Sequence, residues 1–342
     1  MLIGIFLASF LIFPAANAFS SHFLSQSAEL PKTLQDSGLY QSQNQNVVDP
    51  KNRLFEAQYP LWSDGARKRR WVYLPSGQLI NSQNMNDWIF PVGTKFWKEF
   101  SFDLADGSHR KIETRYMEKK SDGWIMATYL WNLEQSEAKL APEAGVPNYY
   151  PLKPGHHYSI PSRNDCLLCH SGARDPVLGF SALQLSAQRD QPALNPESIN
   201  LNNLSSEGLL STVPDRQPVI PVPSEQARNA IGYLYGNCMS CHRARGTAGF
   251  TGFHSDIDVG MTEYQRLALY RSAVGRRSTF RIPGYENASY RILAGHPEQS
   301  AVLFRLKNES PQMQMPPIGR SFHDSFAAGL IEDWIQSGLN IK

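Results

Sequence analysis

The chain's four cysteines fall in two copies of one pattern, Cys166-Leu167-Leu168-Cys169-His170 and Cys238-Met239-Ser240-Cys241-His242, and none lies outside them. Two thiols with two residues between them, followed at once by an imidazole, suit the attachment of a c-type haem. Each thiol can add across one vinyl group, and the spacing lets both sulfurs reach one porphyrin edge. The adjacent His then stands beneath the ring as an iron ligand. Cys166, Cys169, Cys238 and Cys241 are therefore expected to bind two haems covalently, with His170 and His242 on the irons. Three other chemistries use such cysteines. A zinc site would need two half-sites each ending in Cys-His, a rarer ligand set. Disulfides within or between the motifs suit an exported chain. A thioredoxin-type motif would open a helix after a strand, a context the flanks lack.

A c-type iron also takes a ligand on its other face. Met313-Gln314-Met315-Pro316-Pro317 follows the second motif and precedes a closing apolar segment. A thioether from a loop stiffened by proline is a usual choice, so Met315 is expected on the second iron, with Met313 as the fallback. Ordinary core packing is the bland alternative for a lone methionine. Between His170 and Cys238 there is no Met, His or Lys. The first iron must look upstream, to His156, His157, Met126 or His109, or across, to His254, His296 or Met313. Otherwise its sixth position is open.

Elements must hold these groups. Ser224 can cap a helix through Glu225, Ala227, Ile231, Leu234 and Tyr235 that delivers the second motif. A closing helix over about Phe322 to Gln336 places Phe326, Leu330, Ile331, Trp334 and Ile335 on one face. Gly232 suits a close crossing of the two. Ahead of the motifs, Arg70 to Leu74, Asp87 to Phe90, Lys95 to Phe102, Lys111 to Lys119 and Trp124 to Trp131 read as short strands separated by turn residues. Ser181 to Gln188 suits a short helix, and the Pro- and Asn-rich run from Gln191 to Pro223 a surface wrap. Arg67, Lys68, Arg69 and Arg70 form a basic run that suits a solvated strand entrance, an acidic partner or a haem propionate. Asp103 and Glu113 make no paired acid/base arrangement.

At 342 residues the chain is long enough for two or three domains, and its formal charge of +2 with no basic stripe argues against nucleic acid. Leu2 to Phe13 is a short apolar run before Ala16-Asn17-Ala18, which fits an export leader. No later stretch is long enough to cross a membrane. The expected organisation is a signal peptide over 1–18, a loosely ordered arm over 19–52, a β-rich domain over 53–155, a first haem-binding segment over 156–223, and a second haem-bearing domain over 224–342. The expected fold class is α+β, a β-sandwich-like amino-terminal domain followed by an α-helical cytochrome c-like haem region. Periplasmic or secreted localisation follows.

The segments Pro60-Leu61-Trp62-Ser63-Asp64-Gly65-Ala66-Arg67-Lys68-Arg69-Arg70-Trp71 and Asp87-Trp88-Ile89-Phe90-Pro91-Val92-Gly93-Thr94 resemble the opening of a family of secreted di-haem c-type cytochrome proteins. The likeness continues through Glu113-Thr114-Arg115, Pro161-Ser162-Arg163, Val177-Leu178-Gly179-Phe180 and Met315-Pro316-Pro317. It implies a β-rich front joined to a helical haem-bearing part, and by position it supports Met315 as a ligand. Members are met beside, or fused to, sugar-dehydrogenase-like propeller or β-helix proteins. The expected role is periplasmic electron transfer between a partner dehydrogenase and a respiratory acceptor. The rival is a di-haem peroxidase or oxidase with an open first haem, and a third reading makes the β-domain a tether to a partner.

Overall fold

The computed structural model describes residues 24–25, 29–104, 106–222 and 224–339, so the expected leader lies outside them. Its largest element is a six-stranded antiparallel sheet in simple sequence order: β3 (Arg53–Leu54), β4 (Arg67–Tyr73), β5 (Lys95–Asp103), β6 (His109–Lys120), β7 (Gly123–Trp131) and β8 (Ala138–Leu140). Two hairpins flank it, β1 (Tyr40–Gln41) with β2 (Asn44–Val48), and β9 (Val146–Lys153) with β10 (His156–Ile160). Alternation along β4 to β7 gives the sheet two apolar faces. On one, Trp71, Trp97, Tyr116 and Tyr129 meet Leu34 and Leu39. On the other, Val72 and Phe96 meet Phe90, Phe180 and Leu201.

Among the described residues six α-helices follow: α1 (Arg163–His170), α2 (Leu201–Ser206), α3 (Glu225–Cys238), α4 (Ala268–Ala273), α5 (Ala301–Lys307) and α6 (Ser325–Gln336). Only α3 and α6 exceed eight residues. They pack together in a core that includes Leu234, Leu303, Ile331 and Trp334.

The expected fold class is corrected on both counts. The front has one multi-stranded sheet in place of a sandwich, and its second face is covered by loops and short helices. The molecule is mostly β-rich, and among the described residues no α-helical cytochrome c-like region forms. Gly246, Gly249, Gly252, Gly260, Gly275, Gly284 and Gly295 punctuate the chain between α3 and α5, and helices there stay at one or two turns.

Smaller expectations also change. The arm is anchored where it is described, because Leu34, Leu39 and Tyr40 are buried against the sheet. Residues 87–90 contribute only an Asn81–Ile89 bridge, and 181–188 form turns. The 191–223 run is partly core, through Leu201, Leu204 and Leu210. The boundary at 155 cuts the β9–β10 turn, and the segment after it shares a core with the front sheet. On α6, Phe326 is exposed while Ile331, Trp334 and Ile335 are buried. Gly232 is indeed a close approach, but to Tyr59 from the front of the chain: a Cβ there would run into the Tyr59 ring.

Candidate functional site

Helix α1 carries the whole first motif. Its start is fixed by a capping box, in which Ser162 Oγ accepts from the Asp165 N–H at 3.1 Å while Asp165 Oδ2 accepts from the Ser162 N–H at 2.9 Å. Five residues after Asp165 the chain reaches His170, whose Nδ1 donates to the Pro176 carbonyl. A carbonyl only accepts, so Nδ1 carries the proton and the Nε2 lone pair is free for a metal. Burial first, then the charges of Lys98 and Arg115, lower this imidazole to about 4, so it is neutral at neutral pH. The loop that supplies Pro176 is clamped by its neighbour Asp175. That buried carboxylate accepts from the Phe90 N–H at 2.7 Å, Trp124 Nε1 at 2.9 Å and Lys119 Nζ at 2.7 Å.

The second motif leaves the end of α3, which Ser224 caps as expected through the Ala227 N–H. The His242 N–H donates to the Cys238 carbonyl at 2.8 Å, so the motif continues the helix by one more turn. Its imidazole lies edge-on to Phe253, with ring centres 4.8 Å apart, and Nδ1 is 3.3 Å from Thr251 Oγ1. Burial lowers it to about 4, and Arg305, His254 and Arg291 push the same way.

The two motifs meet. Cys169 Sγ and Cys241 Sγ are 3.9 Å apart although 72 positions separate them in sequence. The Leu168 carbonyl accepts from the Cys241 thiol at 3.4 Å and from Thr247 Oγ1 at 2.8 Å. Gly172, just past the first motif, lies where a Cβ would press on the Ser240 carbonyl and the Arg243 side chain. All four cysteines are free and half-buried. Among the described residues no three His, Cys, Asp or Glu side chains gather as a metal-ion site, so the two half-sites do not assemble a four-ligand zinc arrangement.

Met315 lies in a loop laid along α5. Its N–H donates to the Arg305 carbonyl at 2.9 Å, Arg305 Nε donates to the Met313 carbonyl at 3.0 Å, and the Met315–Pro316 peptide is cis. Arg305 is also among the charges felt by His242. Most candidates for the first iron are engaged elsewhere. His156 Nδ1 is 3.0 Å from the Ser321 carbonyl, His109 pairs with Asp103, His296 pairs with Glu298, and Met126 is buried in β7.

Two groups of residues matter here beyond the motifs. Asp64, held at φ 52 before Gly65 at φ 75, accepts from the Ser321 and Phe322 N–H groups at 2.7 and 3.1 Å. Trp62 N–H donates to Asn237 Oδ1 at 2.7 Å, one residue before Cys238. The Trp62-Ser63-Asp64-Gly65 segment thus ties the front of the chain to the second motif and to the entrance of α6. The other group is the basic run. Strand alternation splits it, so Arg69 stacks over Trp71 on one face while Lys68 and Arg70 lie on the other. There the register sets Arg70 opposite Lys98, and Lys98 opposite Arg115.

Comparisons with family models, curated proteins and solved structures returned no match.

Proposed function

We propose that the protein is an exported di-haem c-type cytochrome that passes electrons from a partner dehydrogenase to a respiratory acceptor. The observation that carries this reading is the contact of two complete Cys-x-x-Cys-His motifs, which would make porphyrins attached there neighbours. When bound, haem supplies the one-electron iron couple; the chain supplies attachment, ligation and orientation.

The donor set suits that task. Four free thiols are spaced for two porphyrin edges. Both imidazoles are held neutral, and His170 is fixed in the tautomer that leaves Nε2 available. Met315, whose loop is held along α5 by the Arg305 carbonyl, is the further ligand proposed for the second iron, on its position in the sequence after the second motif. No described helix is long and apolar enough to cross a membrane. Beside the second motif a recess of about 660 Å³ is lined by His254, Arg271, Arg276, Arg277 and Arg291 without any acidic side chain, which favours a redox partner with an acidic docking face. The leader-like amino terminus and the family resemblance favour the same reading.

Carbon monoxide added to the ferrous protein separates this reading from a peroxidase or oxidase. An electron carrier with two six-coordinate irons binds it slowly or not at all. Prompt binding at one iron would favour the enzyme.

A further inference from the structure

The row of cations on β4, β5 and β6 has no adequate counter-charge among the described residues. Arg70, Lys98 and Arg115 stand directly opposite one another on three adjacent strands, with Lys68 two residues along from Arg70. Like charges in that position repel. Arg70 is 7 % exposed and enters no ion pair among the described residues, nor does Lys98, whose Nζ rests 4.8 Å from the centre of the Phe100 ring. Lys68 Nζ finds only the Ala66 carbonyl, at 3.1 Å. Glu113 is committed to Arg115 at 2.6 Å and to the Tyr158 hydroxyl at 2.5 Å. Glu56, which attracts Arg70, is held by the Leu194 and Asn195 N–H groups, and Asp64 and Asp324, which attract Lys68, are held by the Ser321, Phe322 and Ala327 N–H groups. Charges taken out of water in this way either gain an anion or, where they are lysines, give up a proton; the guanidinium of Arg70 keeps its proton and so favours an anion.

The row lies under the segments on either side of the first motif: on its face Val72 and Phe96 pack on Phe180 from the chain after α1, with the Phe96 and Phe180 ring centres 5.4 Å apart, and Glu113 holds the hydroxyl of Tyr158 from β10, just ahead of α1. A haem attached at Cys166 and Cys169 brings two carboxylates of its own, at the porphyrin edge away from the thioethers. We propose that Arg70, Lys98 and Arg115, supported by Lys68, seat the propionates of the first haem. The assignment rests on the haem reading above. Guanidinium groups suit it because they bind carboxylates through two parallel hydrogen bonds. Positive charge near an iron favours its reduced state, so the row raises the potential of the first haem.

Redox titration of the two-haem protein tests this. In Lys98→Met the potential of one haem should fall, by about 59 mV for a tenfold change in its one-electron equilibrium, while the other stays put. Lys98→Arg should retain the original value. Arg69→Met, on the opposite face of β4, should change neither. If Lys98→Met fails to accumulate, Lys68→Met gives the same reading from the end of the row. Two unchanged potentials in a protein that still carries two haems would overturn the assignment and leave the cytochrome reading standing. A first-haem potential that moves with added phosphate at constant ionic strength would place a free anion on the row and overturn it too. Protein purified without any haem would instead sink the cytochrome reading itself.

Discussion

Only a carbonyl faces Nδ1 of His170, and that contact decides which ring nitrogen is free for iron. The motif makes the imidazole visible in the sequence, but its partner Pro176 is visible only once the loop after α1 is seen pinned by Asp175. Asp175 could not be picked out beforehand, because its partners Phe90, Lys119 and Trp124 come from 51 to 85 positions away. At Met315 the backbone is held by the Arg305 carbonyl. Met315→Ala is expected to lower the potential of the second haem by well over about 59 mV, a factor of ten in its equilibrium, and to admit carbon monoxide there. An unaltered spectrum and potential would remove Met315 from the ligand set.

Among the elements, β4 shows what alternation does to a basic run. Arg67 to Arg70 reads as one patch in the sequence, yet the pleat sends Arg69 to the Trp71 face and Lys68 and Arg70 to the opposite face. The consequence is electrostatic. Burial first, then Arg70 and Arg115, bring Lys68 down from 10.5 to about 7, and Lys98 falls well below its usual range for the same reasons. Between pH 7 and 10 the unfolded chain therefore binds protons that the folded chain has lost, so folding stability rises with pH across that window. In haem-free protein the melting temperature should climb from pH 7 to pH 10, and Lys68→Met should flatten the climb. Parallel curves for the two proteins would show that Lys68 keeps its proton on folding. Strands β4 to β7 and helix α3 were legible because period-two and period-3.6 patterns are local. Phe326 misled because the apolar pattern of α6 continues into its first turn, where no neighbour covers it.

At the scale of the molecule, front and back are one structure, joined by the Trp62-Ser63-Asp64-Gly65 segment and by Tyr59 against Gly232. Burial raises the Asp64 carboxyl, although the Ser321 and Phe322 N–H groups favour its charged form. Asp64→Ala removes both bonds and leaves two half-buried donors without their carboxylate. It should cost about 3 kcal/mol, read as a lower denaturant midpoint; a midpoint unchanged within error would mean the segment is not a fastening. The long-range architecture was hidden in the sequence for the same reason: a motif such as Pro60 to Trp71 shows its composition, but not that its partners lie some 175 and 257 positions downstream.

The intact mass of the denatured protein, exported by a host that attaches haem, bears most directly on the whole account. Two tetrapyrroles above the bare polypeptide are predicted, falling to one when Cys166 and Cys169 are both replaced by serine. A polypeptide that runs at its bare mass would contradict it.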